Sequence, residues 1–271
     1  MQLRTSLRVS SALHVLPALL ALAAICLATP AHAATRPYAV TERADTEAPG
    51  HLRLEAGIDR QDWDTGNKFY ALTPEITYGL HSGLDVEVAL PWAVAGGAEP
   101  LKDGPGDIRA RAKLRLVQPG PRVPLTVSAQ AEVKFPTGID PVSTGEPDVR
   151  LAALATDVLG PVTVDGNLFY TFVGEGTGQD FHNVAGVSVG MEAPTHVKGL
   201  TGLGEFTLEQ ARVPGESAPF ALVGGARYAV TPRLALDFDL LIGWGPGPLP
   251  AAGNYERGLG GGFGLTWELG G

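Results

Sequence analysis

Four cations stand at every second position of one short run: Arg109, Arg111, Lys113 and Arg115. Charges recur at the same spacing elsewhere, as Asp85 with Glu87, Glu132 with Lys134, and Asp237 with Asp239. Such a row has two chemical uses. It can pair with acids on neighbouring strands and stiffen a wall. It can also set basic against acidic residues across a water path and so filter ions and small solutes. Both uses need the same residue types, and both stay open at this stage.

Catalytic constellations are harder to find. Beyond residue 33 the histidines are His51, His81, His182 and His196. A serine–histidine hydrolase needs nucleophile and base within hydrogen-bond reach, with a third group orienting the base. Ser188 and His182 share one segment with no local motif joining them. The run Gly258-Leu259-Gly260-Gly261-Gly262-Phe263-Gly264 precedes no helix, so it reads as a strand with small inward residues rather than a phosphate loop. In Asp59-Arg60-Gln61-Asp62-Trp63-Asp64-Thr65-Gly66-Asn67 the aspartates are spaced like calcium ligands, but the glutamate that would complete the loop is missing. No enzyme, cofactor or metal site is expected.

The elements that carry the charges are strands. Ile108, Ala110, Ala112, Leu114 and Leu116 alternate with the four cations. From Leu125 to Phe135, Leu125, Val127, Ala129, Ala131, Val133 and Phe135 alternate with Thr126, Ser128, Gln130, Glu132 and Lys134. A period of two puts the two sets on opposite faces. One long apolar face and one long charged face suit a membrane barrel, with lipid outside and water or paired side chains inside.

The ends and the composition agree. Arg4 and Arg8 precede an apolar run over Leu16–Leu27 and the small-residue site Ala31-His32-Ala33, so residues 1–33 read as a secretory signal peptide. Its removal takes away the lone cysteine, Cys26, and two of the 20 basic residues; 18 against 29 acidic ones leave a net charge of −11. That balance excludes a nucleic-acid partner. No stretch of the remainder approaches the length of an apolar spanning helix, so any crossing is by a closed barrel. Residues 34–50 lack periodicity and read as a flexible periplasmic lead-in, with tucking into a lumen as the alternative.

Twelve strands are expected over 51–271, near 51–60, 69–80, 83–92, 106–117, 122–135, 148–159, 161–172, 181–193, 197–209, 218–229, 232–244 and 256–269. Short turns such as His81-Ser82-Gly83 and Pro119-Gly120-Pro121 alternate with longer connections such as Ala93–Pro105 and Pro136–Pro147. Strand parity sends Tyr70, Trp92, Phe135, Phe172, Phe181 and Trp244 outward at the long-loop rim. It sends Tyr78, Tyr228 and Trp267 outward at the other. Two girdles of rings belong at the two membrane interfaces. The expected fold is an all-β, antiparallel, up-and-down transmembrane barrel. Arg109, Arg111, Lys113, Arg115, Glu132, Lys134, Asp85, Glu87, Asp237 and Asp239 are its expected lumen-lining residues.

Gly106-Asp107, Lys113-x-Arg115-Leu116, Phe135-Pro136-Thr137-Gly138 and Gly145-x-x-Asp148 together resemble the Gram-negative outer-membrane family of the MetA pathway of phenol degradation, whose members are labelled transporters. Thr73-Pro74-Glu75-Ile76-Thr77-Tyr78-Gly79-Leu80 with Val88-Ala89-Leu90-Pro91 is similar to the family's opening strands, and Asn167-Leu168-x-Tyr170 to the strand after the central hairpin. The resemblance implies a bacterial outer-membrane location, lipid and the barrel-assembly machinery as partners, and passage of small, aromatic or other apolar compounds. The chain departs from typical outer-membrane barrels in ending Trp267-Glu268-Leu269-Gly270-Gly271 rather than on an aromatic residue. Two further function classes stay in view. One is a non-transporting barrel serving surface binding or envelope structure through its loops, and the other is a lipid-modifying enzyme, which lacks a catalytic constellation.

Overall fold

A computed structural model describes residues 41–63, 68–96, 102–120, 123–139, 143, 145–174, 181–212, 218–246 and 255–269. The expected signal peptide and Gly270-Gly271 lie outside the described residues. Within them the two-residue periodicity becomes extended chain, and no helix occurs.

The strand segments are β1 (Leu52–Trp63), β2 (Lys68–His81), β3 (Leu84–Ala89), β4 (Trp92–Gly96), β5 (Lys102–Pro105), β6 (Ile108–Val117) and β7 (Thr126–Phe135). They continue as β8 (Asp148–Leu159), β9 (Val162–Phe172), β10 (Val184–Pro194), β11 (Leu200–Glu209), β12 (Phe220–Thr231), β13 (Leu234–Pro246) and β14 (Tyr255–Leu269). β3 and β4 both pair with β2, so they are one stave interrupted at Leu90-Pro91. β5 pairs with β4 and β6 with β3, giving a second stave interrupted at Gly106-Asp107. The fourteen segments thus make twelve antiparallel staves, and β14 pairs with β1 to close the ring. At the first break Pro91 has no N–H to give. The Leu90 amide donates to Pro74 at 2.9 Å and the Gly106 amide to Pro91 at 2.8 Å, which carries the ladder across both breaks.

Two boundaries differ from expectation. The connection Ala93–Pro105 is largely strand, with Trp92 opposite Pro105 and Ala95 opposite Lys102. Its glycines and prolines suggested a loop, but β2 runs on to Lys68 and offers β4 a ladder from Leu72 upward. β7 starts at Thr126 rather than near 122, because Pro124 removes a donor just before it. Staves of the ring otherwise begin and end within a few residues of the sequence reading.

Burial is inverted relative to a soluble protein. Leu116, Leu168 and Leu240 on the outer face are 60%, 61% and 58% exposed, whereas Ser128 and Asp165 on the inner face are fully buried. An outer surface this apolar needs lipid around it. Trp92, Phe135 and Phe172 are exposed toward the long-connection rim, and Tyr78 and Tyr228 at the short-turn rim. Tyr70, Phe181 and Trp267 are half-buried, and the Trp244 side chain lies outside the described residues.

A charge placed on this outer face tests the assignment. Leu240→Arg is expected to lower folding stability in lipid vesicles by about 2–4 kcal/mol, and Tyr228→Arg, at the rim, by about 0–1 kcal/mol. Equal effects in denaturant titrations would contradict it.

Candidate functional site

The inner wall is built where β6 faces its neighbours. Glu87 is directly opposite Arg111 from β3, and Glu132 from β7. The buried Arg111 guanidinium bonds both carboxylates and also reaches Glu42 at 3.2 Å and Glu75 at 3.8 Å. Lys113 lies opposite Asp85 and is equally buried. Arg109, half-buried, sits 3.7 Å from Glu75. Arg115 is half-buried beside the turn at Gly83, whose carbonyl accepts its amide at 2.7 Å. Lys134 bridges Asp148 at 3.0 Å and Asp107 at 3.5 Å.

Across the ring, Arg227 donates from Nε to Asp237 at 2.6 Å. Asp239 and Asp59 both lie opposite Gly262, from β13 and β1. A Cβ on Gly262 would meet both carboxylates, at 2.6 and 2.7 Å, so the glycine run leaves room for a pair of acids on the wall.

Residues 41–50 take the alternative that the sequence left open, tucking into the lumen. They run along the inside of the ring, where the expected lead-in was flexible and periplasmic. The Thr41 amide and hydroxyl both donate to Glu205 of β11, at 2.6 and 2.8 Å. Asn167 of β9 accepts from the Glu42 amide at 2.6 Å and donates to its carbonyl at 2.8 Å. The Ala44 amide donates to Thr156 of β8 at 2.8 Å, and its carbonyl accepts from Ser128 of β7. Lys113 donates to the Arg43 carbonyl at 3.2 Å, and the Glu47 amide donates to Asp85 at 3.0 Å.

Side chains from six staves thus do for this backbone what a neighbouring strand does elsewhere, since buried amides and carbonyls need partners. Arg53 pairs with Glu47 at 2.9 Å. At the foot, the Gly50 amide donates to the Gly79 carbonyl at 2.8 Å. A Cβ on Gly79 would overlap the Ala48 carbonyl oxygen. The one sequence signal for this docking is the set of uncharged inward side chains, Ser128, Thr156 and Asn167, which suit backbone rather than ionic partners.

Two cavities remain in the lumen. One, of about 230 Å³, has Glu42 as its floor and Arg109, Arg111, Arg150, Arg212, Leu154 and Phe169 among its walls. The other, of about 170 Å³, is acidic, with Glu55, Asp59, Glu75, Asp237 and Asp239, and shares Arg109 with the first. The first cavity thus mixes four arginines with three glutamates, Glu42, Glu132 and Glu209, while the second sets five acids against Arg109.

The catalytic candidates stay apart. Ser188 donates to Asn167 at 3.4 Å, while His81, His182 and His196 are exposed. Asp62 pairs with Arg60 at 2.6 Å, and 64–67 of the aspartate loop lie outside the described residues.

The family model described as "Putative MetA-pathway of phenol degradation" matches residues 34–248. The chain belongs to this family. No curated protein matches it. Among solved structures, an outer membrane channel from Pseudomonas putida F1 is similar with a TM-score of 0.60 at 12% identity, over 87% of this chain and 100% of that one. The NanC porin gives 0.57 at 10% identity, over 80% and 100%, and the CymD monoaromatic hydrocarbon channel 0.51 at 11%, over 83% and 90%. At such identities the likeness is one of fold, and the chain is an outer-membrane β-barrel.

Three of the motifs that suggested the MetA-pathway family meet at one rim. Thr137 accepts from the Ile108 amide at 2.9 Å, and Asp107 accepts from the Gly138 amide at 2.9 Å. Asp148 accepts from the Gly174 amide at 3.0 Å while holding Lys134. Gly-Asp, Pro-Thr-Gly and the Asp of Gly-x-x-Asp are thus a hydrogen-bonded cap on staves β6 to β9.

Two outcomes follow for stability and docking. Arg111→Ala strands buried carboxylates and is expected to cost about 3–5 kcal/mol; a loss below 1 kcal/mol in vesicle unfolding would show the network to be dispensable. Ala44→Cys is expected to resist a maleimide in folded barrels and to react several-fold faster in the Gly79→Val background, where the foot is displaced. Equal rates would mean that 41–50 is not held by that contact.

Proposed function

We propose that this barrel is a passive channel for small molecules, aromatic or otherwise apolar, across the outer membrane. The observation that carries the reading is the pair of cavities left in the polar lumen, one of them beside Glu42 of the 41–50 segment. They are bounded by side chains rather than filled by them. The family's description and CymD, a monoaromatic hydrocarbon channel, favour aromatic solutes for those proteins, and that chemistry is extended to this chain as part of the proposal. A twelve-stave ring exceeds the eight-strand size that side chains fill and is narrower than porins of about 16–18 strands. Passage through it therefore depends on where residues 41–50 lie. Arg109, Arg111, Lys113, Arg115, Glu132, Lys134, Asp85, Glu87, Asp237 and Asp239 would line the path, with Arg111 and Asp237 serving the wall through ion pairs and Arg109 facing both cavities.

One observation favours a second reading, that of a non-transporting barrel with a structural or surface-binding role. The 41–50 segment is hydrogen-bonded to staves around the ring, as a permanent filling would be. The two readings separate in planar bilayers and in liposome swelling. A channel is expected to show small conductance as the full chain and several-fold more after deletion of residues 41–49. Silence of both proteins, with no solute flux above empty vesicles, would overturn the channel reading in favour of the second.

A further inference from the structure

We propose that the larger lumen cavity is a binding site for a small amphiphilic carboxylate: one apolar ring carrying a single carboxylate. The proposal rests on the channel reading for its biological meaning and on the following geometry for its chemistry.

One wall of the cavity is apolar and the rim above it is cationic. Leu154 and Phe169 are almost completely buried, with Ala152 between the level of Leu154 and that of Arg150. The Arg150 guanidinium carbon lies 4.0 Å from the centroid of the Phe169 ring, a cation over an aromatic face at the cavity wall. Its Nε is used by Thr171 at 3.1 Å.

The charges around the cavity are not equally engaged. Arg111 is committed to Glu87, Glu132 and Glu42. Two others sit at longer distances from their acids: Arg150 at 3.5 Å from Glu209 and Arg212 at 3.6 Å from Asp148. Charge-assisted bonds that have formed are about 2.7–2.9 Å long. An incoming carboxylate can therefore take short bonds from Arg150 and Arg212 without breaking short ones. Glu42 and Glu132 share Arg111 with Glu87, and Glu209 is the third acid on the lining, so the four arginines face three carboxylates.

Size limits the ligand. Pockets for drug-sized molecules run to about 300–1,000 Å³, so 230 Å³ takes a single ring with a short polar group. A neutral hydrocarbon would make no use of the guanidinium donors, and a small anion such as acetate would make no use of Leu154 and Phe169.

The experiment is calorimetric titration of the folded full-length barrel in detergent with benzoate, benzyl alcohol and acetate in low-chloride buffer at pH 7. Arg150→Leu, Arg150→Lys and Arg212→Ala are run in parallel, with folding checked by heat-modifiable gel mobility. Benzoate is expected to bind about tenfold or more tightly than either analogue. Arg150→Leu and Arg212→Ala should each weaken benzoate by about tenfold and leave benzyl alcohol unchanged. Arg150→Lys, which keeps the charge without the planar fork, should fall between wild type and Arg150→Leu. Benzoate binding no tighter than benzyl alcohol, or at wild-type strength to both folded Arg150→Leu and Arg212→Ala, overturns the proposal. Flux measurements separate the two claims: benzoate binding without solute flux would leave this site standing and remove the channel reading. Flux without benzoate binding would do the reverse.

Discussion

A backbone amide that faces hydrocarbon has no water to bond, and leaving one unpaired costs several kcal/mol. That constraint explains why the ring must close, with β14 on β1, and why the breaks at Leu90-Pro91 and Gly106-Asp107 are bridged by the Leu90 and Gly106 amides. It also explains the inversion of burial. Once the outer face is given to lipid, everything polar collects inside, and the inside must then satisfy itself.

The lumen meets that demand in two ways. Around Arg111 it uses opposite charges on adjacent strands, placed by register so that one guanidinium serves several carboxylates. Around β7, β8 and β9 it uses Ser128, Thr156 and Asn167, which have no charge to neutralise and instead hold the backbone of residues 41–44. Buried ion pairs recover little net stability after desolvation, so the network is better understood as fixing the shape of the wall than as a source of stability. Arg150 and Arg212, whose ion pairs are longer, border the larger cavity rather than the Arg111 network. This division between committed and loosely held charge gives the lumen a chemical preference.

The family motifs have a plain physical role in this setting. Thr137 and Asp107 close the junction between β6 and β7 with two side-chain-to-amide bonds, and Asp148 joins the next hairpin to it through Lys134. Such a cap keeps the long-connection rim of β6 to β9 in register, directly above the cavity that these staves line. The motifs identify the family because they hold this rim together. They say little about the solute, since Arg150, Phe169 and Arg212 belong to none of them.

Much of the fold was readable in the sequence by itself. Two-residue alternation is a local property, so the staves, the faces of Trp92, Phe135, Tyr78 and Tyr228, and the pairing of the Arg111 row with Glu87 and Glu132 all followed from strand order and parity. Strand extension at Ala93–Pro105 did not, because whether a glycine- and proline-containing stretch pairs depends on a free ladder on β2. The docking of residues 41–50 was further out of reach. It joins Thr41 to Glu205 across 164 positions and draws on side chains from staves all round the ring. Those side chains converge only after the sheet has curled and closed, which makes the filling of the lumen, and the cavities beside it, a decision of the tertiary structure.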